Sequence, residues 1–497
     1  MPGVRLDTLL AEHMTTEPVD DDDVVLLEAM TSTTVGTKTQ DAMRTVRESH
    51  VVRRIRRSNA IQRVLSGLVL APSVLAFLLL GPRFAPYLLC SVVVSICYYE
   101  FAWLSHRIVH RVATSVALSD LTSLRPIPVL NLRDCAISPI SRGYDKVAAA
   151  ILSTLQTMLL LGLTYVTNLY VWHFESLPVD AAQDRPHVQA VAYLYIYLGV
   201  TGWVAFYCAW LTPSWRAHLL LLVVQLFYGL RALNTFSTNY YSNHVYLLGY
   251  DYTKQTFALI AIAVHLSFAS LASLPDGIRI LFGVLLDCVA FGYVALLMDP
   301  ISTFMASVID GRRLALGFLA VVWGADTGAY VTGHVIPALG YVHFHRLAYH
   351  ISPKKDLEGT LGGAFLGVLL VLFVNFVAPP DLPESVLRDL RMDKDTYLYT
   401  CLLWQLVFAI VGAFISRYGD LLASLLKRLA QVKDTGDLIP GHGGMLDRVD
   451  ALLFTAAVFV LYHRLSSGPN YTSYVQPTYQ GWAYQASVLA TLFPFVG

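Results

Sequence analysis

Between Lys433 and Asp450 the chain reads KDTGDLIPGHGGMLDRVD, and these are the residue types a polyphosphate–metal site requires. Gly436, Gly441, Gly443 and Gly444 let the backbone approach a ligand closely and adopt positive φ. N–H groups turned toward an anion in such a loop make a phosphate-binding concavity. Lys433 and His442 add cationic donors. Asp447 and Asp450 stand where the next apolar run begins, so in a helix they share a face. Their hard carboxylate oxygens suit Mg²⁺, which keeps waters and shares phosphate ligands. The glycines alone would make only a turn before a capped helix; the carboxylates and cations beside them favour a site.

Two further segments carry compatible chemistry. In SRYGDLLASLLKRL, Ser416 to Leu429, a 3.6-residue period places Asp420, Ser424, Lys427 and Arg428 on one face and Leu421, Leu422, Leu425, Leu426 and Leu429 on the other. The leucine face is expected to meet lipid, as in an interfacial amphipathic helix. Asp420 ends an apolar run, where a carboxylate is costly unless it pairs with a cation or faces a wet cavity. In HISPKKDLEGTLGGAF, His350 to Phe365, Lys354 and Lys355 follow the stiffening Pro353, and Glu358-Gly359 precede a glycine-rich helix start. Paired lysines on a loop are ordinarily solvated, but opposite these carboxylates they make a phosphate clamp. His334, His343, His345 and His350 crowd the same region; His343-x-His345 lacks a third ligand at motif spacing and reads as plain loop. Asp326 in WGADTGAY and Asp287 in LLDC fall within or at the ends of apolar runs, where a carboxylate is a functional hypothesis. Asp326, beside Gly324 and Gly328, is the better candidate.

The elements that must position these residues are set by an apolar composition. The chain has 497 residues, 55% hydrophobic and 14% charged, and a mean hydropathy of +0.54, too apolar for a soluble surface. An all-α polytopic integral membrane protein is expected. Apolar runs long enough to cross a bilayer lie at Val64–Leu80, Phe84–Leu104, Val147–Val166, Val188–Trp210, Leu219–Leu233, Thr256–Leu274, Ile278–Met298, Leu314–Gly333, Leu361–Ala378, Tyr399–Ile415 and Val449–Leu465. Leu219–Leu233 and Val449–Leu465 are the weakest, which gives about nine to eleven transmembrane helices. Residues 1–63 read as a polar, disordered tail, residues 64–313 as the N-terminal and middle helices with a polar insert at 105–146, residues 314–465 as the catalytic region with its motif at 424–450, and residues 466–497 as a C-terminal tail.

Net charge is zero, which leaves no electrostatic case for a nucleic-acid partner. The cations are unevenly placed. Seven arginines from Arg44 to Arg63 precede the first run, and Arg107, Arg111, Arg125, Arg133, Arg142 and Lys146 follow the second. The positive-inside rule then puts the N-terminus in the cytosol. Eight runs separate it from the lysine segment, and two more return the chain to the same side for the motif. A polar cavity facing the cytosol follows, although Arg312 and Arg313 fall on the far side in this count. The six cysteines show no disulfide or metal spacing and read as small buried residues.

These residues resemble the CDP-diacylglycerol synthases, or phosphatidate cytidylyltransferases. The resemblance runs through Ser424, Lys427-Arg428, Lys433-Asp434, Pro440, His442-Gly443-Gly444 and Asp447-Arg448-x-Asp450. Ser416-x-x-Gly419-Asp420-Leu421, Asp326–Tyr330 and Ser352-Pro353-Lys354-Lys355 with Glu358-Gly359 support it, and it covers roughly Leu314 to Leu465. Asp356-Leu357 departs from the Thr-Trp usual in that family. The resemblance implies attack of phosphatidic acid on CTP to give CDP-diacylglycerol and pyrophosphate, with Mg²⁺ and room for a second monovalent or divalent cation. It implies Asp420, Asp447 and Asp450 as metal ligands, with Asp420, Asp447, Lys427, Lys433 and Arg448 catalytic. Lys354, Lys355, Ser424, Lys427, Arg428, Lys433, His442, Gly443 and Gly444 would meet phosphate or nucleotide, with Asp326 and Glu358 in support. Partners are then CTP, phosphatidic acid and the bilayer, with a homodimer allowed. The long acidic tail favours the endoplasmic reticulum or another endomembrane over a bacterial inner membrane or plastid. A CTP-dependent kinase of a polyprenol or other lipid alcohol is the alternative; a transporter fits less well, because the charges sit in one-sided loops.

Overall fold

The computed structural model of the chain describes residues 69, 72–78, 81, 85–119, 134–174, 184–240, 260–266, 277–299, 301, 311–341, 343–377, 394–436, 438 and 443–467. All of these lie in one compact unit, Leu68–Gly497. The expected tail over residues 1–63, residues 120–133 of the polar insert and residues 468–497 lie outside the described residues.

Where the sequence is apolar for long enough, the backbone satisfies its own hydrogen bonds as helix, which is what lipid demands. The long described helices are α1 (Ala85–Ser119), α2 (Asp145–Phe174), α3 (Asp184–Trp210), α4 (Trp215–Tyr240), α5 (Gly277–Ala290, continued by a π-helical turn, Phe291–Leu296), α6 (Gly311–Ala338), α7 (Leu357–Val377), α8 (Lys394–Leu429) and α9 (Leu446–Ser467). Among the described residues, seven helices are long and apolar enough to cross a membrane, at Ala85–Ser115, Asp145–Thr167, Ala192–Trp210, Arg279–Asp299, Ala315–Ala338, Leu357–Val377 and Leu402–Leu429. The two weakest expected spans do form helices, α4 and α9, and they carry polar residues, Arg216, His218 and Arg231 in α4 and Asp447, Arg448 and Asp450 in α9. The start of the polar insert is helical: residues 105–119 continue α1.

α6 and α7 are joined by an antiparallel hairpin, β1 (Arg346–Ala348) with β2 (Ser352–Asp356), the only sheet among the described residues. The two helices cross at reciprocal glycines spaced by four. A Cβ on Gly324 would lie 2.5 Å from Gly367 Cα, one on Gly328 would lie 2.5 Å from Gly362 O, and one on Gly363 would lie 2.4 Å from Ala325 O. Backbone therefore meets backbone, as in small-xxx-small membrane pairs.

The amphipathic segment with Asp420 is the continuation of a span. α8 runs unbroken for 36 residues, about 54 Å at helical rise. Its leucine face turns outward only in part: Leu429 is exposed and Leu422 and Leu425 are half-buried, while Leu421 and Leu426 are buried. Leu426 and Ala430 join Leu446, Val449 and Leu453 of α9 in a core shared with Cys97, Phe101 and Leu104 of α1 and with α3, α4 and α5. Two carboxylates in the same bundle are ion-paired, Asp287 with Arg216 and Asp299 with Arg231.

Candidate active site

The hairpin is fastened at its base before it presents anything. Asp356 caps α7, its Oδ1 accepting Gly359 N–H at 2.7 Å while Thr360 Oγ1 donates to Asp356 O at 2.8 Å. This gives the departure at Asp356 a structural role. Glu358 accepts His345 N–H at 3.1 and 3.2 Å and faces His345 Nδ1 at 2.6 Å. Glu358 thus supports the hairpin, and His345 is engaged there.

From β2, Lys355 reaches into the site. Its Nζ stands 2.6 Å from Asp420 Oδ2 and donates to Ser424 Oγ at 3.4 Å. Arg417 Nη1 lies 3.8 Å from the same carboxylate. Burial pushes the Lys355 ammonium below the usual lysine range, outweighing the opposing pull of Asp420. Asp326 on α6 lies within electrostatic reach of Asp420, Arg417, Lys355 and Arg448. Lys354 is in β2, but its side chain lies outside the described residues.

The glycine loop is organised around Asp447. Lys427 Nζ lies 2.8 Å from Asp447 Oδ1, and Asp447 Oδ2 accepts Thr435 N–H at 2.8 Å and Gly444 N–H at 3.1 Å, with Thr435 Oγ1 3.0 Å away. The expected positive φ occurs at Gly443, φ +80°, where a Cβ would sit 3.0 Å from Asp447 Oδ2. Asp450 is buried and lies within electrostatic reach of Asp420, Lys427 and Lys355. It comes close because α8 approaches α9 at Gly419, whose absent Cβ would be 2.8 Å from Asp450 O. Arg428, Lys433 and Arg448 are exposed around this cluster. Gly441 and His442 lie outside the described residues.

Two lysine–aspartate pairs thus face each other across α8 and α9. Among the described residues no three His, Cys, Asp or Glu side chains converge closely enough to hold an ion alone. The donor set fits the other mode of binding, in which one or two carboxylates share Mg²⁺ with phosphate oxygens and water. In the present geometry lysine ammonium groups hold the positive charge at both carboxylates.

Three residues of this site were not anticipated. Thr435 bridges Asp447 to Glu100, whose Oε2 accepts Thr435 Oγ1–H at 2.9 Å. Glu100 sits in the span Phe84–Leu104 and meets the same criterion that singled out Asp326 and Asp287. Tyr293, in the π-helical turn, has a buried hydroxyl without a partner among the described residues and lies within electrostatic reach of Asp450, Asp420 and Asp447.

Fold and site together define a polytopic membrane protein with a lysine–carboxylate cluster and a glycine loop at one end of its helix bundle. The sequence model of the cytidylyltransferase family matches residues 146–466, more than half of the chain, and the chain belongs to that family. The match reaches back well before Leu314, the limit of the motif resemblance. A phosphatidate cytidylyltransferase of Thermotoga maritima is 37% identical over 158 residues, 32% of this chain and 52% of the relative. One from Rickettsia felis is 30% identical over 161 residues, 32% and 63% of the two chains. One from Staphylococcus haemolyticus is 33% identical over 151 residues, 30% and 49%. Each alignment spans less than two thirds of the relative's own length.

Proposed function

We propose that the protein is a phosphatidate cytidylyltransferase, joining CTP and phosphatidic acid into CDP-diacylglycerol with release of pyrophosphate. The observation that carries this reading is the convergence of Lys355, Asp420 and Ser424 with Lys427, Asp447 and the glycine loop, drawn from three separate segments. The relatives bearing that activity in their names support it.

A phosphate oxygen of phosphatidic acid attacks the α-phosphorus of CTP; a new P–O bond forms, the bond to the β-phosphate oxygen breaks, and pyrophosphate leaves with the electron pair. The attacking oxygen is already ionised, so positioning and positive charge carry the catalysis and no strong base is needed. Lys355 and Lys427 stand ready to exchange their carboxylate partners for phosphate oxygens, with Arg428, Lys433 and Arg448 neutralising the rest of both polyanions, alongside Lys354, His442 and the N–H groups of Gly443 and Gly444. Asp420 and Asp447, with Asp450 behind them, would hold Mg²⁺, together with a second monovalent or divalent cation. When bound, Mg²⁺ supplies charge to the α-phosphate and the leaving pyrophosphate.

The site faces the cytosol, where CTP is found, and opens laterally to that leaflet for the lipid. Arg111, one of the cations that follow the second apolar run, donates to Arg428 O beside the motif loop, which puts the basic end of α1 and the site on one side. An endomembrane such as the endoplasmic reticulum is the favoured location. Labelling of Gln431→Cys by an impermeant thiol reagent, on a background lacking native cysteines, checks the orientation: modification from the non-cytosolic face of sealed vesicles overturns it.

Product analysis with CTP labelled at the α- or the γ-phosphate tests the reaction. Label from the α-position should enter the lipid and label from the γ-position should appear in pyrophosphate. γ-Label in the lipid would instead identify a CTP-dependent lipid kinase, and no transfer to any lipid would overturn both readings.

A further inference from the structure

We infer that Glu100 is a positioning residue of the active site, and that α1 holds the motif loop in shape from outside the family-matched segment. The inference rests on the function proposed above only for its kinetic consequence; the positioning itself is a matter of geometry.

Glu100 is 3% exposed, and no cation stands within ion-pair distance of it among the described residues. Its charge is met by the start of α9 instead: Oε1 accepts Met445 N–H and Oε2 accepts Leu446 N–H, each at 2.8 Å. These are amides that a helix leaves unsatisfied at its N-terminus, where the dipole also favours a carboxylate. The same Oε2 takes the Thr435 hydroxyl, and Thr435 hands on to Asp447 through its N–H. Glu100 therefore reaches Asp447 and Lys427 through Thr435 and without touching either.

The glycines of the loop carry the imprint of this side chain. A Cβ on Gly444 would lie 2.1 Å from Thr435 Oγ1 and 2.5 Å from Glu100 Oε2, and one on Gly436 would lie 3.0 Å from Glu100 Oε1. These glycines admit a buried carboxylate from another helix. Eleven residues further along α1, on the same face at about 100° per residue, Arg111 donates to Arg428 O at 3.1 Å and Leu429 O at 3.0 Å. α1 thus grips both edges of the loop, a carboxylate on the amides that open α9 and a guanidinium on the carbonyls that close α8. Each charge has the sign its helix end favours.

The test uses Glu100→Gln in the full-length protein in detergent, with hydrogen exchange and steady-state kinetics. An amide cannot accept from all three donors, so exchange in peptides covering residues 431–446 should quicken about tenfold while peptides of α6 and α7 keep the wild-type rate. Turnover should fall about tenfold or more with the KM for phosphatidic acid within about twofold, since the lost element acts on Asp447 and not on lipid binding. Thr435→Val, which cuts the relay without touching α1, should quicken the same peptides, and joining it to Glu100→Gln should cost little more than the worse single change. If the wild type proves inactive on CTP and phosphatidic acid, the proposed reaction falls and the exchange measurement decides the positioning by itself. Loop exchange at the wild-type rate in both variants, or quickening spread evenly over all peptides, would overturn the inference.

Discussion

Lys427 Nζ stands 2.8 Å from Asp447 Oδ1, so the last turn of α8 and the first turn of α9 are tied across the glycine loop by opposite charges. The Lys355–Asp420 pair does the same between β2 and α8. In each pair one member suits a metal ion and the other an anion, so a metal-bound polyphosphate would replace two lysine–carboxylate contacts with a single array of alternating charge.

Asp420→Asn and Asp447→Asn should each cut CDP-diacylglycerol formation by at least about a hundredfold, as losses of transition-state charge stabilisation do. Both variants should remain inserted in the membrane, and chelation of divalent ions should produce the same loss in the wild type. Substantial turnover by either purified variant at saturating Mg²⁺ would refute the ligand assignment.

The burial of Lys355 lowers its pKa, so as pH rises it surrenders its proton before an ordinary lysine does. A cation bound at Asp420 pushes the same way. If the protonated ammonium is the working form, kcat/KM falls on the alkaline side below the usual lysine range. Lys355→Arg, whose guanidinium does not titrate there, should move that fall to higher pH. A pH–rate profile identical in the two proteins would show that Lys355 does not set the alkaline limb.

At the crossing of α6 and α7, Gly328→Leu or Gly363→Leu forces a side chain into the opposing backbone and should cost about 1–3 kcal/mol or more of stability. Gly333, on the same helix, has no atom within 4 Å of its ideal Cβ, so Gly333→Ala should be neutral or stabilising by about 0.5–1 kcal/mol. Thermal unfolding in detergent compares them directly, and equal effects at Gly328 and Gly333 would remove the packing argument.

Tyr293 keeps a buried hydroxyl unpartnered among the described residues, next to three site carboxylates. Removing an unsatisfied hydroxyl is neutral or favourable for folding. If that hydroxyl awaits a phosphate or a metal-bound water, Tyr293→Phe should leave the Tm unchanged or higher while lowering kcat/KM about tenfold. Wild-type kinetics would make Tyr293 a packing residue.

The motif was legible because its parts are local: Gly443, Gly444 and Asp447 lie within one turn of one another, and their spacing alone carries the geometry later seen at φ +80°. The same-side placement of Lys355 and Asp420 was legible as parity, two crossings out and back, though the hairpin that delivers Lys355 was not. The leucine face of α8 departs from expectation at two of its five residues for a physical reason, since lipid tails and a protein interior are equally apolar and periodicity cannot tell them apart. Leu421 and Leu426 chose the protein. Glu100 was visible as an intramembrane carboxylate, but its partners lie 335 to 346 positions away in the chain, and no local pattern encodes a contact of that range.

The grip of α1 on the loop has a consequence for how this protein can be divided or recombined. Similarity to the family begins at residue 146, and a chain cut there keeps every signature residue while discarding Glu100 and Arg111. The boundary drawn by resemblance is therefore not a boundary of the working unit. A hybrid that joins this C-terminal region to the first helices of a bacterial relative inherits a loop whose glycines make room for a carboxylate, and it functions only if the donated helix supplies one at the same depth.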